Sequence, residues 1–170
     1  MYFFTADEHY HHPRIREYCG RPFPSMEEGD NEIIRKHNEV VTSKDIVIHA
    51  GDTTFNQSYQ ATMKYIDCLN GQHFFIKGSH DRWLAGSNHP YLWEKMIEGV
   101  YVVVCHYAMR VWPRSHYNSW CLYGHSHGKL APVGKSYDVG VDNNQFYPIS
   151  FDSLKVIMEK QPDNFNLVKK

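Results

Sequence analysis

The sequence predicts an α/β fold built around a mixed sheet, and three observations point there. Short apolar, β-prone runs alternate with amphipathic stretches in the first half of the chain, and mainly strands follow. A polar cluster closes successive apolar runs: Asp7-Glu8-His9, Gly51-Asp52, Gly78-Ser79-His80-Asp81, His106, and Gly124-His125-Ser126-His127. Glycine precedes three of these clusters, where its tolerance of unusual dihedrals suits a sharp turn that aims the next side chain at a shared centre. In folds of this class, polar chemistry gathers at the carboxyl ends of strands.

Element by element, residues 1–6 are aromatic and β-prone and form a first strand ending at Asp7. A histidine-rich loop leads to a short helix at 13–18, closed by Gly20. Ser25-Met26-Glu27-Glu28 is a capping box, with Ile33, Ile34, His37, Val40 and Val41 at helical spacing behind it. The polar turn 42–45 stops that helix, and 46–50 is a buried strand delivering Asp52. A second helix covers 58–69, apolar at Met63, Ile66 and Leu69, with Gly71 placed as its C-cap. Residues 73–77 form the strand that delivers Gly78-Ser79-His80-Asp81. A looser segment with a short helix at 92–96 follows, then a valine-rich strand at 100–105 ending at His106. Residues 119–123 and 136–141 read as further strands, 150–154 as the opening of a short helix, and the last ten residues as a polar tail. The sequence contains no repeat, low-complexity tract or linker, so one domain over 1–170 is expected.

A chain of 170 residues is large enough to bury a core without disulfides. Its net charge of -1 creates no global field for long nucleic acids or an anionic membrane, although a local basic patch stays open. Cys19, Cys68, Cys105 and Cys121 form no CxxC pair, which sets aside zinc-finger and redox-motif readings and fits free thiols in a reducing compartment. The apolar start meets Asp7 far short of a signal peptide or a membrane span. A cytoplasmic location without a membrane partner is therefore expected, and a cellular and a phage origin fit equally.

Oxygen and nitrogen donors in these numbers suit borderline divalent ions such as Mn, Fe, Ni or Zn. Side chains two apart on an extended chain share a face, so Asp7 and His9 can share an ion. By the same geometry, His125 and His127 can face one centre or straddle two. Asp52, alone on its loop, is the natural bridging carboxylate, since two oxygens can serve two cations. Two ions about 3.5–4 Å apart would activate a bridging hydroxide and clamp a phosphoryl group during in-line displacement.

In this order the motifs resemble those of calcineurin-like metallophosphoesterases: D-x-H (Asp7, His9), G-D (Gly51-Asp52), G-N-H-D (Gly78 to Asp81), H (His106) and G-H-x-H (Gly124 to His127). The resemblance spans residues 7–127, and His12 completes the D-x-H-x-x-H opening of short bacterial and phage members. It implies a four-layer sandwich of two mixed sheets flanked by helices, with a dinuclear site at one edge. Carried over by position, Asp7, His9, Asp52 and His127 would hold one divalent metal, and Asp52, Ser79, His106 and His125 the other. His80 would be the acid that assists the leaving oxygen, and Asp81 would orient its ring. The implied activity is that of a phosphatase or phosphodiesterase, with manganese among the candidate metals.

Ser79 departs from the pattern, because family members usually carry Asn there and a hydroxyl is one atom shorter than an amide oxygen. Weaker occupancy of the second metal, lower activity, or a water filling the gap is expected, and natural and engineered origins of the serine stay open. His12 and Arg82 are the candidate substrate contacts, with Arg14, Arg21, Arg110 and Arg114 as further phosphate clamps. Trp112, Tyr117 and Trp120 form either a base-stacking rim or ordinary packing. His49 is expected as a satisfied core histidine, Glu8 faces away from the ligands, and Asp138 and Asp142 support the site without ligating. The leading expectation is a phosphomonoesterase or phosphodiesterase acting on a small, nucleotide-type substrate. Two alternatives stand beside it: a nuclease on DNA or RNA, and a catalytically impaired binding or scaffold module.

Overall fold

The computed structural model describes residues 1–168; residues 169 and 170, the end of the expected polar tail, lie outside the described residues. Two mixed four-stranded sheets face each other and are flanked by four helices. The first contains β1 (Tyr2–Thr5), β2 (Ile46–His49), β3 (Gln72–Phe75) and β8 (Ile149–Ser150) in the order β3-β2-β1-β8. Within it β1, β2 and β3 run parallel, and β8 is antiparallel to β1. The second contains β4 (Leu92–Ile97), β5 (Val100–Cys105), β6 (Trp120–Tyr123) and β7 (Ser136–Asp138) in chain order. Here β4 is antiparallel to β5, while β5, β6 and β7 are parallel.

Strand alternation sends Phe4, Ile48, Val102, Val104 and Leu122 into one buried core shared by the two sheets. The opposite faces carry Phe3 and Val47 against Val41 on one side, and Val103, Cys105 and Cys121 against Trp112 on the other. Helices α1 (Ile15–Cys19), α2 (Met26–Val40), α3 (Tyr59–Ile66) and α4 (Phe151–Lys160) supply the flanks. Serine caps start three of them: Ser25, Ser58 and Ser150 accept from the amides of Glu28, Ala61 and Ser153. Gly20, in the left-handed region at φ 64°, closes α1. No helix among the described residues is long and apolar enough to cross a membrane.

Two expectations are corrected and one open choice is decided. Residues 92–96 form an edge strand, not a helix, because Glu98 and Gly99, at φ 46° and 83°, make a tight hairpin turn that lays β4 along β5. The tail is anchored: Asn164 is 3% exposed and donates through Nδ2 to the carbonyls of Ser115 and Ser119, each at 3.0 Å. Trp112 and Trp120 are buried packing residues, so no aromatic rim forms from them. The expected free thiols are present, with Cys105 and Cys121 buried and Cys68 exposed.

Behind the first sheet lies a row of imidazoles, His49 and His37 buried and His73 half-buried. Glu8 Oε1 accepts from Thr5 Oγ1 at 3.0 Å and meets His49 Nδ1 at 2.9 Å, and His49 Nε2 meets His73 Nδ1 at 3.0 Å. His49 is thus a satisfied core histidine, and Glu8 faces away from the ligands. Next in the row, His37 Nε2 contacts the Asn70 carbonyl at 2.8 Å. Burial lowers His37 from 6.5 to about 4, against the raising effect of that carbonyl. Burial likewise lowers His73, to about 3, helped by repulsion from His49 and His37. Both rings are neutral in the fold and gain protons on unfolding below the ordinary histidine value. Their contribution is complete above pH 6.5 and is lost as pH falls toward 4, on the order of 3 kcal/mol for His37. The melting temperature is therefore expected to drop between pH 7 and pH 4, with a shallower drop in His37→Gln. Equal pH slopes in wild type and variant would refute this.

Candidate metal centre

Parallel β1, β2 and β3 deliver their carboxyl ends to one edge, and β5 and β6 bring theirs beside it. Backbone hydrogen bonds stitch the loops: Asp7 N donates to the Gly51 carbonyl, His9 N to that of Asp52, and Gly124 N to that of His106. The loops approach so closely that a Cβ on Gly78 would collide with Asp52, and one on Gly124 would sit 2.6 Å from Ala6 Cβ. Space, not dihedral freedom, requires glycine at those two positions. Only Gly51 takes the unusual dihedral expected of all three, at φ 95°. Left-handed backbone falls instead on the donor residues Asp7, His9, Asp52, His125 and His127, with φ from 48° to 65°. Non-glycine residues held there store strain, a feature that concentrates at functional sites.

Two donor groups result. Asp7, His9 and His127 offer ligand atoms within 4.8 Å of one another, and so do Asp52, His106 and His125. The two histidines of Gly124 to His127 therefore fall in different donor groups. Asp52 joins the groups: its Oδ2 lies 3.6 Å from His9 Nε2 and 3.2 Å from His106 Nε2. Ser79 Oγ donates to the same oxygen at 3.0 Å, and the His80 amide donates to Oδ1 at 2.7 Å.

Several of the donor atoms lack a hydrogen-bond partner. Asp7 uses Oδ2 to accept from the His125 amide at 2.7 Å, which leaves Oδ1 buried without a hydrogen bond. Both ring nitrogens of His9 and Nε2 of His106 are buried in the same condition. His106 Nδ1 sits 2.9 Å from the Ala50 carbonyl, which fixes a proton there and leaves Nε2, 3.2 Å from Asp52 Oδ2, as the nitrogen that a cation would take. Such unpaired buried polar atoms are rare and costly; a divalent ion among them would remove the cost.

Electrostatics place protons on Asp7 and His127 at neutral pH, which a bound cation would displace. Burial raises Asp7 to about 8, although His127 and His106 oppose it. Burial lowers His9 to about 2 against the pull of Asp52. Burial would raise Asp52, but its contacts with His106 and His9 carry it below the ordinary carboxylate range. Burial would lower His127, yet Asp142, Cys19 and Asp7 raise it to about 10.

A cleft of about 420 Å³ opens over these groups, lined in part by His12, Arg14, Tyr18, Phe55, His80 and Lys129. His80 faces it with its ring 5.4 Å from that of His9 and 5.1 Å from Phe55. His12 packs on Phe55 at 3.9 Å and accepts from the Arg14 amide.

Three sequence-based roles do not survive the geometry. The Asp81 carboxylate accepts from the amides of Asp52, Thr53 and Gly78 and from Trp83 Nε1, so it braces the ligand loops and does not orient His80. Arg82 is exposed and lines a separate groove with Lys77 and Tyr91, outside this cleft. Arg21 is buried and bonded to Asp142 and to the backbone of the Asp7 loop, so it is no phosphate clamp. Reasoning from sequence missed Tyr18 and Phe55 as cleft walls. No periodicity marks them, since both reach the cleft only through loop packing.

Fold and site together define a two-sheet α/β sandwich with adjoining histidine–carboxylate groups suited to hold metal at its strand ends. The chain belongs to the family of the uncharacterized protein MJ1445 of Methanocaldococcus jannaschii, with 30% identity over 172 residues covering 93% of this chain and 91% of that protein. No family model matches the chain. The crystal structure of the protein of unknown function AQ665 from Aquifex aeolicus shares the fold at TM-score 0.71 and 19% identity, covering 92% of this chain and 98% of that one. A conserved uncharacterized protein of Streptococcus pneumoniae, described as a predicted phosphoesterase, aligns at TM-score 0.42 and 16% identity over 79% of this chain and 67% of that one. So partial an overlap carries no argument about function.

Proposed function

We propose that this protein is a metal-dependent phosphoesterase of the calcineurin-like type, hydrolysing a small phosphomonoester or phosphodiester. The observation that carries the reading is the position of Asp52 Oδ2 between His9 and His106, with a three-donor group on either side. Asp7, His9, Asp52 and His127 would hold one cation and Asp52, His106 and His125 the second, with Ser79 beside it. When bound, a pair of such cations supplies Lewis acidity, charge neutralisation and an activated water. His80, free of hydrogen bonds through its ring among the described residues and facing the cleft, is available to protonate the departing oxygen. Arg14 and Lys129 offer positive charge to a phosphate, and Tyr18 and Phe55 offer apolar walls to a flat group such as a nucleoside base.

Metal-loaded protein is expected to hydrolyse aryl phosphate mono- or diesters, to lose activity with a chelator and to regain it when manganese returns. Ser79→Asn supplies an amide oxygen one atom longer and is expected to tighten metal binding about tenfold, the scale of one added polar contact. Elemental analysis beside the ester panel checks both. A metal-replete protein inactive on every ester, before and after Ser79→Asn, would favour a binding module instead.

A further inference from the structure

A buried ion pair lies behind the Asp7–His9–His127 group and belongs to neither ligand set. Arg21 has a side chain 2% exposed and uses its whole guanidinium fork. Nε and Nη2 donate to the two oxygens of Asp142 at 2.8 and 2.9 Å. Nη1 donates to the Glu8 carbonyl at 2.9 Å, and Nη2 also to the Asp7 carbonyl at 2.7 Å. Asp142 Oδ2 in turn lies 2.7 Å from His127 Nδ1. Arg21 follows α1, Asp142 sits in a 3-10 turn (Val141–Asn143) after β7, and His127 follows β6, so three distant segments meet here.

We propose that Arg21 and Asp142 are positioning residues that set the geometry of the first metal site as one unit. The inference rests on the metal-centre reading given above. The Asp142 carboxylate accepts from His127 Nδ1, so the proton that a cation would displace is the one on Nε2, and the pairing raises the ring's basicity. Arg21 neutralises Asp142 and grips the carbonyls of Asp7 and Glu8, in a loop whose Asp7 and His9 both carry left-handed backbone. Ligands from the N-terminal loop and from the 125–127 loop are thereby kept in a common register. Cys19, His127 and Asp142 could themselves form a donor group. However, both Asp142 oxygens are already bonded to Arg21, and one of them also to His127, which favours a positioning role over direct ligation. Lysine cannot replace Arg21, because a point charge cannot reach a carboxylate edge and two carbonyls together.

Cobalt(II) binding to the full chain, followed by calorimetry and visible absorption, tests the clamp. Asp142→Asn and Arg21→Lys are each expected to weaken one class of site by about 10- to 100-fold, the usual cost of losing such a partner. The other class should keep wild-type affinity, and far-ultraviolet circular dichroism should be unchanged. In a His127→Ala background, Asp142→Asn should cost less at that site than it does alone, a non-additivity that a general loosening of the fold would not produce. Wild-type cobalt affinity in both variants, or a full loss from Asp142→Asn in the His127→Ala background, overturns the clamp alone. A wild type that binds no cobalt overturns the metal reading itself and the clamp with it. Should a variant fail to fold, histidine ¹⁵N spectra of the wild type decide. In zinc-loaded protein, a His127 protonated at Nδ1 alone supports the proposal, and any proton on Nε2 overturns it.

Discussion

Asp52→Asn is expected to abolish phosphoester hydrolysis, with a loss of about 10³-fold or more in turnover. The magnitude follows from the charge stabilisation that bound cations lend a phosphoryl transition state, several kcal/mol, at about 1.4 kcal/mol per tenfold. Asp52 adjoins both donor groups through an oxygen 3.6 Å from His9 and 3.2 Å from His106. Asparagine keeps an oxygen to accept from the His80 amide but loses the charge shared between the centres. The fold should therefore persist while metal content falls. Elemental analysis, circular dichroism and turnover on an aryl diester check the three parts. Turnover within tenfold of wild type would remove Asp52 from the bridging role.

His80→Gln is expected to lower turnover about 10²- to 10³-fold, but only where the leaving group needs a proton. The His80 backbone is pinned by Asp52 while its ring projects into the cleft as neither member of a donor group. Alkyl esters, whose alkoxides leave poorly, should suffer the full loss. Nitrophenyl esters, whose anions leave unaided, should lose little, and metal content should stay at the wild-type level. Equal losses on both ester types would instead mark His80 as a substrate-orienting residue.

Much of this architecture was legible in local patterns. The capping box Ser25–Glu28 and the left-handed Gly20 lie where the helix ends form, because capping depends on residues within one turn. The valine-rich run from Val100 to Cys105 is a strand as read, since residues buried on both faces need no partner to be recognised. Residues 92–96 failed because Leu92-Trp93-Glu94-Lys95-Met96 satisfies either period over so short a span. The Glu98-Gly99 turn was the overlooked signal. Asp81 was misjudged for a different reason: adjacency to His80 in the chain says nothing about where a carboxylate finds its donors. Three of the four it found are amides on its own and a neighbouring loop.

From the amino-acid order alone came the candidate donor residues, their placement after strands, and a two-residue spacing of His125 and His127 that suits one centre or two. Those properties are set by side-chain chemistry and by a period of two or 3.6, both readable within a few residues. Tertiary structure alone decided that Arg21 meets Asp142, 121 positions away, and that Asp142 meets His127. It also decided that Gly78 and Gly124 are needed for room, and that Tyr18 and Phe55 wall the cleft. These are outcomes of burial and of contact between distant segments. Their energies depend on which groups lose water together, a quantity that no local spacing records.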